Sequence, residues 1–206
     1  MLVSVIGGLG NMGRRYSLIL KSLGVKVLPI DVNSTPEDID DAKQFSDAFI
    51  VATPTDTHAN WVIKLARLKR PILCEKPIST SLNMVKEVLR ITGQEKTPLS
   101  MVCQYSELAP KTGSGDSFYN YFRHGNDGLY WDCIQIIALA NGKCEVADDS
   151  PVWRCQINGK SLNVAEMDHA YIKHLQRWTN GEQVNDAEFI FEAHRRVARI
   201  TGGLDG

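Results

Sequence analysis

The chain has 206 residues, 43% hydrophobic and 23% charged, with a formal net charge of −1. That is an ordinary globular make-up, long enough for one generous domain or two small ones. With no net field and no run of about eighteen apolar residues, neither a nucleic-acid partner nor a membrane span is expected.

The first residues, MLVSVIGG, lack the basic and long apolar regions of a signal peptide and read as a strand. LVSVIG is a short β-branched run bounded by glycine. Residues 11–23 carry Met12, Tyr16, Ile19, Leu20 and Leu23 near helical spacing, and Gly24 is a plausible stop. VKVLPID is a second strand ending at Asp31. Thr35, Pro36, Glu37 and Asp38 read as an N-cap, a first-turn proline and first-turn acids of a brief helix. DAFIVATP is a third strand, apolar on both faces as a covered parallel strand requires. A helix over 56–69, a strand in PILCEKP, a helix from Leu82 to Thr92 and a strand in PLSMVCQY follow. This alternation predicts an α/β fold with an N-terminal Rossmann, doubly wound parallel sheet over 1–105.

Near Ser106 the rhythm breaks. LAPKTGSGDS reads as a linker. SFYNYF, a helix over 129–140, short strands in KCEVA, VWRCQI and KSLNV, and helices over 165–179 and 186–201 make 106–206 a small α+β region. Asn158-Gly159 is a type I′ hairpin signal. The five cysteines, Cys74, Cys103, Cys133, Cys144 and Cys155, contain no C-x-x-C and no zinc spacing. They read as buried hydrophobes in a reducing, cytoplasmic setting.

Gly8, Gly10 and Gly13 stand at G-x-G-x-x-G spacing between a predicted strand and a predicted helix. In that fingerprint the first glycine permits a tight turn, the second lets backbone approach a pyrophosphate, and the third lets helix and strand pack closely. Leu9, Asn11 and Met12 complete the loop, where free N–H groups of the helix start attract phosphate. Asp31, about 20 residues on, sits where an acid accepts hydrogen bonds from a ribose diol. It would repel a 2′-phosphate, so NAD is favoured over NADP. Thr53, Pro54 and Thr55 lie at the carboxyl end of the third strand, where open α/β sheets bind ligands. Glu75 and Lys76 end the next strand at the same edge. A lysine there could polarise or protonate a substrate oxygen.

GGLGNMG, IVATPTDTH and CEKP, in this order, resemble the Gfo/Idh/MocA oxidoreductases, the glucose–fructose oxidoreductase and inositol dehydrogenase group. The resemblance spans about residues 1–105. It implies a Rossmann domain, a C-terminal domain with an open sheet, and NAD(P)-linked chemistry on sugars, cyclitols or related polyols. By that resemblance Lys76 would be the catalytic lysine, with a cis bond to Pro77, and Gly8, Gly10, Asp31, Thr53, Pro54, His58 and Glu75 would line the cofactor site. Family members are much longer, so the second domain here is a shortened one. They also pair an aspartate with a histidine four residues later. In GLYWDCIQIIALANG, Asp132 matches the aspartate, but Ile136 stands at the histidine position and Gln135 is the nearest polar side chain. Tyr105, His124 and His169 remain as replacements by exclusion.

The reading is therefore an NAD-dependent oxidoreductase acting on a small hydroxylated substrate through Lys76 and Asp132. The alternative is a non-catalytic NAD-binding relative serving as sensor or assembly subunit. An open sheet with exposed edges would pair with a second copy, so a homodimer or larger oligomer is expected.

Overall fold

The computed structural model describes residues 1–109, 115–120, 129–147 and 152–202, with the side chains of Leu129 and Asp132 left out. The first hundred residues build strands β1 (Leu2–Ile6), β2 (Lys26–Ile30), β3 (Ala48–Val51), β4 (Ile72–Cys74) and β5 (Leu99–Met101). They form one parallel sheet in the order β2-β1-β3-β4-β5. Between them run α1 (Asn11–Ser22), α2 (Pro36–Phe45), α3 (Thr55–Ala66) and α4 (Leu82–Glu95).

Local chemistry sets the boundaries. Thr35 caps α2 in a capping box with Asp38, and Pro36 occupies the first turn, where its missing N–H costs nothing. The chain leaves α1 at Leu23, and Gly24 follows at φ +77°. α3 is shorter than its pattern: it stops at Ala66, and Lys69 turns left-handed at φ 55°. α4 runs past Thr92 to Glu95 before Lys96 ends it, also left-handed. The fifth strand is short as well. After Met101 the chain bends into a 3₁₀ turn at Gln104–Glu107, because the Cys103 amide donates to His174 Nε2 at 3.3 Å rather than to a strand.

The second region holds β6 (Ser117–Asn120), α5 (Leu129–Asp132), α6 (Ile134–Leu139), β7 (Cys144–Ala147), β8 (Arg154–Ile157), β9 (Lys160–Ser161), α7 (Val164–Thr179) and α8 (Ala187–Thr201). Its four-stranded sheet has the order β7-β6-β8-β9, with β6 and β7 parallel and the other pairs antiparallel. The β8–β9 hairpin turns at Asn158 (φ 50°) and Gly159 (φ 81°), the two positive φ values of a type I′ turn. The single helix expected over 129–140 is two, broken at Cys133 (φ −94°, ψ 7°). Half of the expected linker, residues 110–114, and His124 lie outside the described residues.

Strand alternation divides the core into two layers. Val3, Val5, Ile50 and Leu73 face α1 and α7, packing with Tyr16, Leu20, Tyr171, Leu175 and Trp178. Ile6, Phe49, Val51, Ile72 and Cys74 face the other way, with Ile134, Ile136, Ile190 and Val197 from α6 and α8. The last two helices thus return to cover both faces of the first sheet. Among the described residues no helix is long and apolar enough to cross a membrane.

Candidate functional site at the carboxyl edge of the parallel sheet

The glycine loop is held by its own backbone. Gly7 and Gly8 N–H both donate to the Ile30 carbonyl, at 2.7 and 3.0 Å, and Gly10 N–H donates to Gly7 at 3.1 Å. The roles of the glycines differ from the fingerprint expectation at one position. The left-handed turn residue is Gly7, at φ +82°, not Gly8. Gly8 is needed because a Cβ there would lie 2.6 Å from the Pro29 side chain. Gly13 does pack closely: a Cβ would meet the Gly7 carbonyl oxygen at 2.1 Å. Gly10 is the N-cap of α1 and brings no side-chain cap, so the first N–H groups of α1 are left for another acceptor. Leu9 and Asn11 are exposed and Met12 is half-buried.

Asp31 follows β2 directly, beside this loop. Its carboxylate accepts from the Leu9 amide at 2.9 Å and the Val32 amide at 2.8 Å. A carboxylate oxygen has two lone pairs, so each keeps capacity for a ligand hydroxyl. A cavity of about 420 Å³ runs from here along the sheet edge, lined by Gly7, Gly10, Asp31, Thr53, Pro54 and Trp61 among others. It brings together four of the predicted residues, Gly10, Asp31, Thr53 and Pro54. It does not include Gly8, Leu9, Asn11, Met12, Thr55, His58, Glu75 or Lys76. Sequence reasoning missed Gly7, Val32, Ile39 and Trp61. Trp61 stands seven residues after Pro54, two helical turns on the same face, and that spacing was the available signal.

His58 does not face this cavity. It is 2% exposed, with Nε2 2.6 Å from the Thr53 carbonyl oxygen and Nδ1 2.7 Å from that of Pro77. It supports the cavity wall from behind.

Glu75 and Lys76 continue the ladder past β4, with the Glu75 amide donating to Val51 at 2.8 Å. They therefore sit beside Ala52 and Thr53. Glu75 is buried and accepts from the Tyr16 hydroxyl and, at 3.0 Å, from the Lys76 amide. Burial, then the Glu75 charge, push the Tyr16 phenol well above its ordinary range, so it stays a donor. Lys76 is half-buried, and its bond to Pro77 is cis.

The second-region residues are placed differently. Asp132 ends α5, and its side chain lies outside the described residues. Ile136, at the position where the resembling family has histidine, is 0% exposed in the core. Gln135 is 1% exposed and accepts from the Tyr105 amide at 3.4 Å. Tyr105 is buried, and burial pushes its phenol far above its ordinary range, so it stays protonated near neutral pH. His169 is exposed on α7.

Residues 20–102 match the family model GFO_IDH_MocA, described as an oxidoreductase family with an NAD-binding Rossmann fold. Over 81 residues the chain is 35% identical to inositol 2-dehydrogenase of Rhizobium meliloti. That alignment covers 39% of this chain, which spans only 22% of that relative's length. Similar solved structures include the WlbA dehydrogenase of Thermus thermophilus in complex with NAD and UDP-GlcNAcA, with TM-score 0.75, 14% identity, and 98% of this chain and 94% of that one covered. A myo-inositol dehydrogenase of Corynebacterium glutamicum gives TM-score 0.72 at 12% identity, covering 96% and 94%. A Gfo/Idh/MocA family oxidoreductase of Vibrio cholerae gives 0.71 at 12%, covering 99% and 98%. Identities this low speak for the fold alone, and the matched segment, residues 20–102, is what this chain shares with the Gfo/Idh/MocA oxidoreductase family and its NAD-binding Rossmann fold.

Proposed function

We propose that this chain is an NAD-dependent oxidoreductase acting on a small hydroxylated substrate, a sugar, cyclitol or derivative. The observation that carries the reading is the cavity joining the uncapped start of α1, the Asp31 carboxylate and the Thr53-Pro54 wall, with Lys76 on the next strand of the same edge. These residues suit a dinucleotide. The α1 N–H groups would take the diphosphate. Asp31 would accept from the ribose diol, and its charge beside the uncharged Val32 disfavours a 2′-phosphate. When bound, the nicotinamide gives or takes a hydride at C4. Lys76 would hold the substrate oxygen and move its proton, with Asp132 as its partner from the second region.

The second reading, a non-catalytic NAD-binding relative, draws support from Ile136, an apolar core residue where the family's histidine would stand. One experiment separates the two. NADH titration should show binding weakened about tenfold or more by Asp31→Ala, the loss of a charge-assisted hydrogen-bond partner. With NAD and a panel of sugars and polyols, Lys76→Ala should lower turnover about 10²- to 10⁴-fold, the range of a lost general acid–base group. Binding with no turnover on any substrate favours the second reading, and no binding contradicts both.

We also propose that the chain pairs through its second sheet, in a reducing compartment suited to five free cysteines. Among the described residues β7 and β9 are the two edges of that sheet, and β9 is exposed throughout. An edge of this kind is usually covered. Light scattering at micromolar concentration should give at least twice the mass of one chain; the mass of one chain would refute the pairing.

A further inference from the structure

Two buried histidines from opposite ends of the sequence meet on one peptide unit. The Pro77 carbonyl oxygen lies 2.7 Å from His58 Nδ1 on α3. The Ile78 amide, the other end of the same peptide bond, donates to His194 Nε2 on α8 at 3.0 Å. Both rings are almost sealed from solvent, at 2% and 0% exposure. The remaining nitrogens are engaged too: His58 Nε2 faces the Thr53 carbonyl, and His194 Nδ1 donates to Ile190 at 2.7 Å. A ring that donates through Nδ1 and accepts through Nε2 is the neutral tautomer. Burial agrees, pushing His194 down to about 4.

This peptide immediately follows Lys76. On the other side of Lys76, Glu75 is tied to Tyr16 of α1 and to the Lys76 amide itself. Ile78 is 0% exposed and packs in the core with Ile190. The backbone that carries Lys76 is therefore pinned from three helices, α1, α3 and α8. α8 lies outside residues 20–102, the segment that matches the family model.

We infer that His58 and His194 are positioning residues that clamp the Pro77–Ile78 peptide and so fix the Lys76 amine against the cofactor cleft, coupling the C-terminal helix to the reacting edge. The other nitrogen of His58 faces the carbonyl of Thr53, a wall of the cleft, so the ring lies between the clamped peptide and that wall. The inference rests on the reading of Lys76 as the proton-handling residue, and its test does not require that reading to hold.

The test is amine labelling of the ligand-free protein with an acetylating reagent, followed residue by residue by mass spectrometry. Lys86, exposed on α4, is the internal reference. His194→Leu and His58→Leu should each change the Lys76 rate about fivefold relative to Lys86, the effect expected when a positioning hydrogen bond is lost. His194→Gln, which keeps an acceptor, should return it to within about twofold. A merely structural loss would leave the Lys76-to-Lys86 ratio unchanged, and an unchanged ratio in either folded leucine variant overturns the clamp. Hydrogen exchange of the unmutated protein covers the case in which neither variant folds: the Ile78 amide should exchange only with global unfolding, and fast exchange overturns the clamp. NADH titration of the same variants keeps the two claims apart. Failure of the unmutated protein to bind NADH counts against the proposed function alone.

Discussion

Gly13→Ala is expected to destabilise the protein by about 3 kcal/mol or more, the upper range for forcing atoms into packed space, and to abolish NADH binding. The added Cβ would lie 2.1 Å from the Gly7 carbonyl oxygen and 2.7 Å from Gly8 Cα. Both are backbone atoms and cannot rotate away. Gly7 cannot retreat either: it sits at φ +82° with the Ala52 carbonyl behind it, 2.5 Å from where its own Cβ would be. Either α1 leaves the sheet or the loop opens, and both moves displace the N–H groups offered to the diphosphate. Gly93→Ala is the matched control. Gly93 lies inside α4 with nothing within 4 Å of a Cβ, so alanine should stabilise by about 0.5–1 kcal/mol through helix propensity. Urea unfolding of the two variants measures the contrast, and equal midpoints would contradict this account of the loop.

Stability should fall with acid in two separable stages. The first belongs to His194, held at about 4 by burial against an ordinary 6.5. Its folded form resists the proton that the unfolded chain accepts. The contribution is full above pH 6.5 and is lost as pH falls towards 4. That displacement corresponds to about 3 kcal/mol. The second stage belongs to Glu107. Its side chain is 3% exposed, and burial alone would raise it. His174, Arg177 and Lys173 outweigh burial and hold it at about 2 against an ordinary 4.5. Arg177 Nη1 lies 2.7 Å from it and Lys173 Nζ 3.3 Å. This carboxylate stabilises fully above pH 4.5, and the effect is lost as pH falls through 2, again about 3 kcal/mol in all. Glu107→Gln removes the buried carboxylate shared by Lys173 and Arg177, leaving Arg177 only its pairing with Glu182, and should cost about 3 kcal/mol at pH 7. It should also flatten the decline below pH 4.5, while His194→Gln flattens the decline above it. Urea midpoints from pH 7 to pH 3 check both, and a curve that the variants leave unaltered would contradict them.

Much of the first sheet was legible because its signals are local. The apolar runs of β1 and β3, the Thr35-to-Asp38 cap and the Asn158-Gly159 turn each act over a few residues, and each stands where its chemistry put it. Errors fell where tertiary contacts decide. A strand pattern continues from Met101 into Gln104, yet His174, some seventy residues away, takes the Cys103 amide. The apolar spacing through 129–140 does not show the break at Cys133. At the site, glycine spacing located the loop but assigned the turn to Gly8 instead of Gly7, since φ depends on how the loop meets β3. His58 and Glu75 read as cofactor contacts from their motifs. In the fold both are committed to the protein, one to two carbonyls and the other to Tyr16. His194 gave no sequence signal at all, because its partner is a backbone amide 116 residues away.

The most direct test of the central claim is a crystal structure of the protein grown with NADH. The account predicts the diphosphate on the α1 N–H groups beside Gly10, the adenosine ribose on Asp31, and the nicotinamide end within reach of the Lys76 amine. A diphosphate bound elsewhere, or a Lys76 side chain turned away from the nicotinamide, would contradict it.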